Sequence, residues 1–319
     1  MRERLVMLMA VALATVAVTG ALIRLTASIT ISHPKDAHAS LPSLPAAYLG
    51  VFEPGSPPGY GAIAAFTQAA GRRPNIVEYY SGWAEPFNLS FANLISKHGI
   101  IPLVQIDPTD ASVSAIAAGV YDDYLRSYAD SVSHFGHAVV IGFGHEMNAP
   151  WYSWGYGHLP PSTFVAAWRH IVTLFRQEGA NNVTWLWTVQ ADEAGTGPVT
   201  AWWPGAQYVT WVGIDGYYLH PYSTFTSVFA KTIGQIRAFA TKPVLLSETA
   251  VGPETDQFAK IQDLFHGIAA YNMLGLVWFD KDQHGSIAHQ DWRLENNPTA
   301  AISFKVGVLR ELAPNPPSG

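Results

Sequence analysis

Eight short apolar runs, each followed by a crossover, constrain this chain more than any other feature. They occupy residues 47–52, 76–80, 101–106, 138–143, 183–188, 211–217, 243–247 and 274–279, and are rich in β-branched and aromatic residues. Between them lie helical patterns near residues 61–70, 91–98, 121–135, 162–178, 225–240, 255–271 and 298–312. The clearest is 162–178, where Phe164, Trp168, Ile171 and Phe175 fall on one face and Gly179 closes the end. The fifth crossover, 190–210, carries little helix signal and reads mostly as loop around Trp202, Trp203 and Pro204. Eight strand-and-crossover units predict a (β/α)8 TIM barrel of α/β class. An open parallel sheet is the alternative, but no Gly-rich phosphate fingerprint follows the first strand.

The ends of the chain are set apart from that pattern. Arg2 and Arg4 precede an uncharged apolar stretch over residues 5–23, long for a signal-peptide core and just long enough to cross a bilayer. A small-residue pattern, Ala37-His38-Ala39, follows at a distance. Residues 1–31 are therefore expected to be a signal peptide or a membrane anchor, with possible membrane attachment through 5–23. Either way the rest of the chain lies outside the cytoplasm, secreted or on the outer face of the membrane. Residues 32–45 read as a linker, 46–313 as one barrel domain and 314–319 as a disordered tail.

Composition narrows the partners. Only 13% of the 319 residues are charged, the net charge is −6, and no basic stripe marks the barrel region, which argues against nucleic acid. Cysteine is absent, so no disulfide framework, thiolate metal site or cysteine nucleophile exists. Eleven Trp on a weakly charged chain suit a neutral carbohydrate ligand as well as a core.

In such a barrel the chemistry sits where the strands end. Those ends carry Glu53, then Tyr80 and Trp83, then Gln105 and Asp107, then His145, Glu146 and Asn148. Gln190 follows on the fifth strand, then Asp215, Tyr217 and Tyr218, then Glu248, then Trp278 and Asp280. Strands four and seven face each other across the mouth, and each ends in a glutamate. Two carboxyls across a cleft are the minimum equipment for glycoside hydrolysis. The fourth run continues as HEMNAPWYSWG, placing Glu146 beside Trp151, Tyr152 and Trp154. Aromatic surface there holds a carboxyl protonated and offers flat faces for sugar rings. Tyr217 and Tyr218 alternate, so one reaches the mouth, and Asp215 is expected as a hydrogen-bonding partner inside the barrel.

Over residues 47–312 the sequence resembles glycoside hydrolase family 26. The matching residues are His145-Glu146-Met147-Asn148 with Trp151, Gly213 to Tyr217 reading GIDGY, Ser247-Glu248, Trp278, and Asp291-Trp292-Arg293. The resemblance implies that Glu146 is the general acid/base and Glu248 the nucleophile of a retaining endo-β-glycosidase. It further implies that Tyr217 orients Glu248, that His145 binds sugar, and that Trp151 and Trp278 stack on rings. Trp83, Asn148 and Gln105 complete the expected substrate contacts. The substrate implied is a β-linked polysaccharide, foremost β-1,4-mannan, with mixed-linkage glucan or xylan as alternatives. Gln105 departs from the pattern where a mannanase of this family carries histidine. Retention requires the two carboxyls about 5–5.5 Å apart.

Other chemistries fit less well. His145-Glu146 begins like a zinc-protease helix motif, but position 149 is Ala149 and the segment ends a strand. His284, His289 and Asp291 match no standard metal cage, and no G-x-S-x-G elbow surrounds a serine. No cofactor or metal is expected, and the barrel is expected to be monomeric. A carbohydrate-binding barrel that has lost catalysis, and a hydrolase trimming the cell's own exopolysaccharide, remain as alternative readings.

Overall fold

The computed structural model describes residues 41–253, 256–286 and 288–314. The segment expected to target or anchor the chain, most of the linker, and all but the first residue of the tail lie outside the described residues. Among the described residues no helix is long and apolar enough to cross a membrane.

The eight runs form the expected barrel. Strands β1 (Tyr48–Phe52), β2 (Ile76–Gly82), β3 (Ile101–Asp107), β4 (Val139–Phe143), β5 (Val183–Gln190), β6 (Trp211–Asp215), β7 (Val244–Thr249) and β8 (Gly275–Phe279) pair in parallel and in order. β8 returns to β1 and closes the ring. Outside it run α1 (Gly61–Ala70), α2 (Leu89–Ser96), α3 (Val113–Ala117), α4 (Asp122–Phe135), α5 (Pro161–Gln177), α6 (Lys231–Arg237), α7 (Gln257–Ala270) and α8 (Pro298–Glu311). Each helix buries one stripe. On α4 that stripe is Leu125, Tyr128, Ala129, Val132 and Phe135, and the helix stops at Gly136, which takes the left-handed conformation at φ 72°.

Two crossovers differ from a plain helix. Between β5 and β6 only 3-10 turns occur, at Val199–Trp202 and Ala206–Tyr208. Indoles fill the space a helix would take: Trp202 packs on Phe164, and Trp203 packs on Trp187 and Phe239. Before α6 the chain makes a π turn at Thr226–Ala230. After β8, two-residue strands β9 (Asp282–Gln283) and β10 (Gln290–Asp291) pair antiparallel in the loop leading to α8.

Inside the ring the side chains lie in tiers. The floor is apolar, built from Tyr48, Ile76, Ile101, Leu103, Val140, Leu186, Trp211, Leu245 and Val277. Above it sits a polar tier. Gln105 donates to Glu78 Oε1 at 3.1 Å and to Thr188 Oγ1 at 3.3 Å, and Ser247 donates to Asp215 Oδ1 at 2.6 Å. Glycines make room for this tier. A Cβ on Gly213 would meet Ser247 Oγ and Thr188 Oγ1 at 2.4 Å, and one on Gly142 would meet Gln105 Oε1 at 1.9 Å. The third tier is the mouth.

Candidate active site

β4 and β7 raise one glutamate each into the mouth by different local devices. After β4, Gly144 and then Glu146 adopt positive φ, both 54°. For a residue with a β-carbon this is an uncommon conformation, held here by hydrogen bonds from Glu146 N to Thr188 O at 3.1 Å and from Ala149 N to Glu146 O at 2.9 Å. On β7 the register with β6 shifts between Ile214 and Asp215, and that with β8 shifts between Leu246 and Thr249. The irregularity lets consecutive residues serve the interior: Ser247 reaches down to Asp215, while Glu248 reaches the mouth.

Both oxygens of Glu248 are engaged. Tyr80 Oη donates to Oε1 and Tyr217 Oη donates to Oε2. Tyr217 in turn stacks on Trp292, with ring centres 4.6 Å apart and planes 8° from parallel. Glu146 accepts from Trp151 Nε1 at 2.6 Å. With its amide nitrogen turned toward Glu146, Gln190 donates to Oε1 at 2.7 Å. Burial drives the Glu146 carboxyl up to about 7 and the charge of Glu248 adds to the rise, while His145 and the Trp151 hydrogen bond oppose it. One carboxyl oxygen from each of Glu146, Asp215 and Glu248 lies within 4.8 Å of the other two.

Beneath them Asp215 and Glu78 are fully buried, and burial first, then neighbouring carboxylates, hold both well above the usual carboxyl range. Beside Glu146, His145 is closed off by partners. Its Nδ1 lies 2.8 Å from Asp107 Oδ1 and its Nε2 lies 3.1 Å from Tyr152 Oη. Burial pulls this imidazole down, but the Asp107 carboxylate outweighs it and carries the group up to about 10. Both ring nitrogens are engaged, and the ring is fixed next to Glu146.

Over these residues opens a cleft of about 640 Å³, lined by Glu146, Trp151, Tyr152, Gln190, Glu193, Tyr217, Glu248, Phe279 and Trp292 among others. Trp151 is 46% exposed and presents an indole face at the rim. Farther out, His220 stacks on Tyr222, with centroids 5.0 Å apart.

Glu146, Glu248, Trp151 and Tyr217 thus converge as the sequence suggested. Five other expected contacts do not face the cleft. Trp278 is fully buried on the outer side of β8, packing on Phe304 of α8 and donating to Trp292 O at 2.9 Å. Its neighbours Val277 and Phe279 point inward, because adjacent strand residues take opposite faces. Trp83 packs against Tyr121, Tyr124 and Phe143 rather than lining the cleft. Asn148 is a clamp, donating to Gln190 O at 2.9 Å and accepting from Gln190 N at 2.8 Å. Gln105 is fully buried one tier below the mouth. His145 has no nitrogen left for sugar.

The residues that take those places were partly visible. Tyr80 and Gln190 stand at strand ends, and Trp292 lies in the Asp291-Trp292-Arg293 match. Tyr152 belongs to the aromatic run beside Glu146, whereas Phe279 carried no signal beyond its position. Among the described residues three acidic groupings have geometry for a cation: the mouth triad above, Asp282 with His284 and Asp291, and Glu53 with Asp280 and Glu295. In the mouth triad, protein donors already occupy both oxygens of Glu146 and of Glu248. At the second, Arg293 bridges Asp291 and Asp282.

Fold and site together define a (β/α)8 barrel with a paired-carboxyl, aromatic-walled cleft at its C-terminal mouth. The model for glycosyl hydrolase family 26 matches residues 116–289, more than half of the sequence, and the chain belongs to that family. It is 28% identical over 271 residues, 80% of its length, to endoglucanase H of Acetivibrio thermocellus. It is 28% identical over 139 residues, 41% of its length, to mannan endo-1,4-beta-mannosidase A and B of Caldalkalibacillus mannanilyticus. The aligned regions span only 29% and 26% of those two proteins. A beta-mannanase of Bacteroides ovatus shares the fold, with a TM-score of 0.60 at 16% identity over 87% of this chain and 91% of that one.

Proposed function

We propose that the chain is a retaining endo-β-glycosidase that cleaves a neutral β-linked polysaccharide, foremost β-1,4-mannan. The observation that carries this is the approach of Glu146 and Glu248 within one aromatic-walled cleft, their nearer oxygens inside 4.8 Å. That span supports direct attack by one carboxylate and leaves little room for the intervening water that inversion needs. In the first step Glu248 attacks the anomeric carbon while Glu146 gives its proton to the departing oxygen. The bond to the leaving sugar breaks and a glycosyl ester on Glu248 forms. Glu146, now a carboxylate, then takes a proton from water, which displaces Glu248 and restores both groups. Tyr80 and Tyr217 hold the nucleophile's two oxygens in place. Trp151, itself bonded to Glu146, joins Trp292 and Phe279 as walls against which sugar rings pack. Internal cleavage of a long chain is supported by the names of the two relatives, an endoglucanase and a mannan endo-1,4-beta-mannosidase.

Mannan is supported by the name of the Caldalkalibacillus relative. A β-glucan is the second reading, favoured by the longer match to the Acetivibrio protein, which is named an endoglucanase. Gln105 does not decide between them, since it is buried below the sugar's reach. A reducing-end assay on soluble β-mannan, mixed-linkage glucan and β-xylan, with sizing of products, tests the proposal. Oligosaccharides from β-mannan are expected. Release from glucan alone moves the assignment to the second reading, and binding without release of any product defeats the catalytic one.

A further inference from the structure

A second acidic grouping sits at the same end of the barrel, under the β1–β8 seam. Glu53 follows β1 directly, Asp280 follows β8, and Glu295 lies in the short turn Leu294–Asn296 before α8. One oxygen from each lies within 4.8 Å of the other two. Asp280 is fully buried and Glu53 is 5% exposed. No Lys or Arg among the described residues forms an ion pair with any of the three. Arg293, adjacent in sequence, gives its guanidinium to Asp291 and Asp282. Asp280 Oδ1 accepts from Leu294 N at 2.8 Å, but Asp280 Oδ2 and Glu53 Oε1 are buried with no N–H or hydroxyl donor, and the carboxyls meet one another instead.

Unpaired buried carboxylate oxygens are costly, and three carboxyls crowded together repel one another. Burial, opposed by a hydrogen bond with Asp280 and helped by the Glu295 charge, lifts Glu53 to about 7; burial together with Glu53 and Glu295 lifts Asp280 to about 10. Either a proton or a cation relieves this. The donors are all hard oxygens, they come from three separate stretches of chain, and Glu295 is exposed and leaves an entry from solvent. We propose that Glu53, Asp280 and Glu295 bind a divalent oxygen-seeking cation, calcium by preference, that ties the ends of β1 and β8 to the loop carrying Trp292. Calcium accepts several carboxylates in irregular geometry and fills its remaining positions with water, whereas magnesium demands a regular octahedron. The ion adds a brace behind the cleft wall, since Trp292 stacks on Tyr217, and Tyr217 hydrogen-bonds to Glu248. This inference is independent of the sugar chemistry, because binding is read without turnover.

The test is metal content and thermal unfolding of the full chain, first stripped with a chelator and then titrated with calcium chloride or magnesium chloride. One calcium per chain is expected by elemental analysis after dialysis. At about a hundredfold excess over its dissociation constant, calcium should raise the unfolding midpoint by about 5 °C. Asp280→Asn should lose the shift. Because that buried change risks the fold, Glu295→Gln supplies the surface-side test and should weaken binding about tenfold. Asp282→Asn, in the neighbouring exposed grouping, should bind as the unaltered chain does. No calcium-dependent shift and no retained ion would show that the three carboxyls share protons among themselves, and would overturn the proposal. Loss of binding in Asp282→Asn with retention in Glu295→Gln would place the ion at the exposed grouping and overturn it equally.

Discussion

Glu248→Ala is expected to lower turnover on the preferred polysaccharide by on the order of 10⁵-fold while the barrel stays folded. The change removes the attacking atom itself, so no glycosyl ester forms, and a loss of that size corresponds to about 7 kcal/mol of barrier. Little of the fold depends on the side chain. Its two hydrogen-bond donors, Tyr80 and Tyr217, stand at the mouth, where water can replace the lost acceptor. Tyr217 keeps its stack on Trp292. Circular dichroism and the unfolding midpoint should match the unaltered chain within a few degrees, and oligosaccharide binding should persist. Turnover within tenfold of the original would remove Glu248 from the mechanism.

Glu146→Ala should cost less, about 10²–10⁴-fold, and the cost should depend on the leaving group. An aryl glycoside with an acidic phenol needs little protonation, so its first step should survive while the second, which needs a base, becomes limiting. Azide should then accelerate turnover by attacking the glycosyl ester without base help. The pH profile of the unaltered chain follows from the same carboxyl. The active form of an acid catalyst is the protonated one, and burial raises the Glu146 carboxyl to about 7. The specificity constant kcat/KM should therefore hold below that pH and decline above it, and Glu146→Ala should flatten the alkaline limb. An unchanged limb in the variant would assign it to another group.

Much of this arrangement is legible in the amino-acid sequence, and the boundary of what is legible has a physical cause. Eight apolar runs with intervening crossovers admit few architectures, so the barrel follows from pattern alone. The convergence of the glutamates follows from the barrel, since strands four and seven, three places apart in a ring of eight, both end at the same mouth. What pattern does not supply is parity. A fully buried strand is apolar on both faces, so nothing in Trp278 itself says whether it looks into the barrel or toward α8. A shift of one residue decides it, and Phe279 took the inward place. Height along the strand is equally silent. Gln105 and Asp107 both end β3, yet one lies in the buried tier and the other holds His145 at the mouth. Partner saturation is silent as well: His145 and Asn148 are polar residues beside an acid, the usual profile of a ligand contact, but each is consumed by positioning neighbours. The bulge on β7 that frees Glu248 from strict alternation left no trace in SET at positions 247–249.

The paired glutamates make one claim that stereochemistry reads directly. Proton NMR of the reaction mixture in its first minutes, before mutarotation, reports the anomeric configuration of the new reducing end. Double displacement through Glu248 predicts that the β-linked substrate releases a β-anomer first, with the α-anomer appearing only later. An α-anomer formed first would mean that water, not Glu248, attacks the sugar, and would contradict the account.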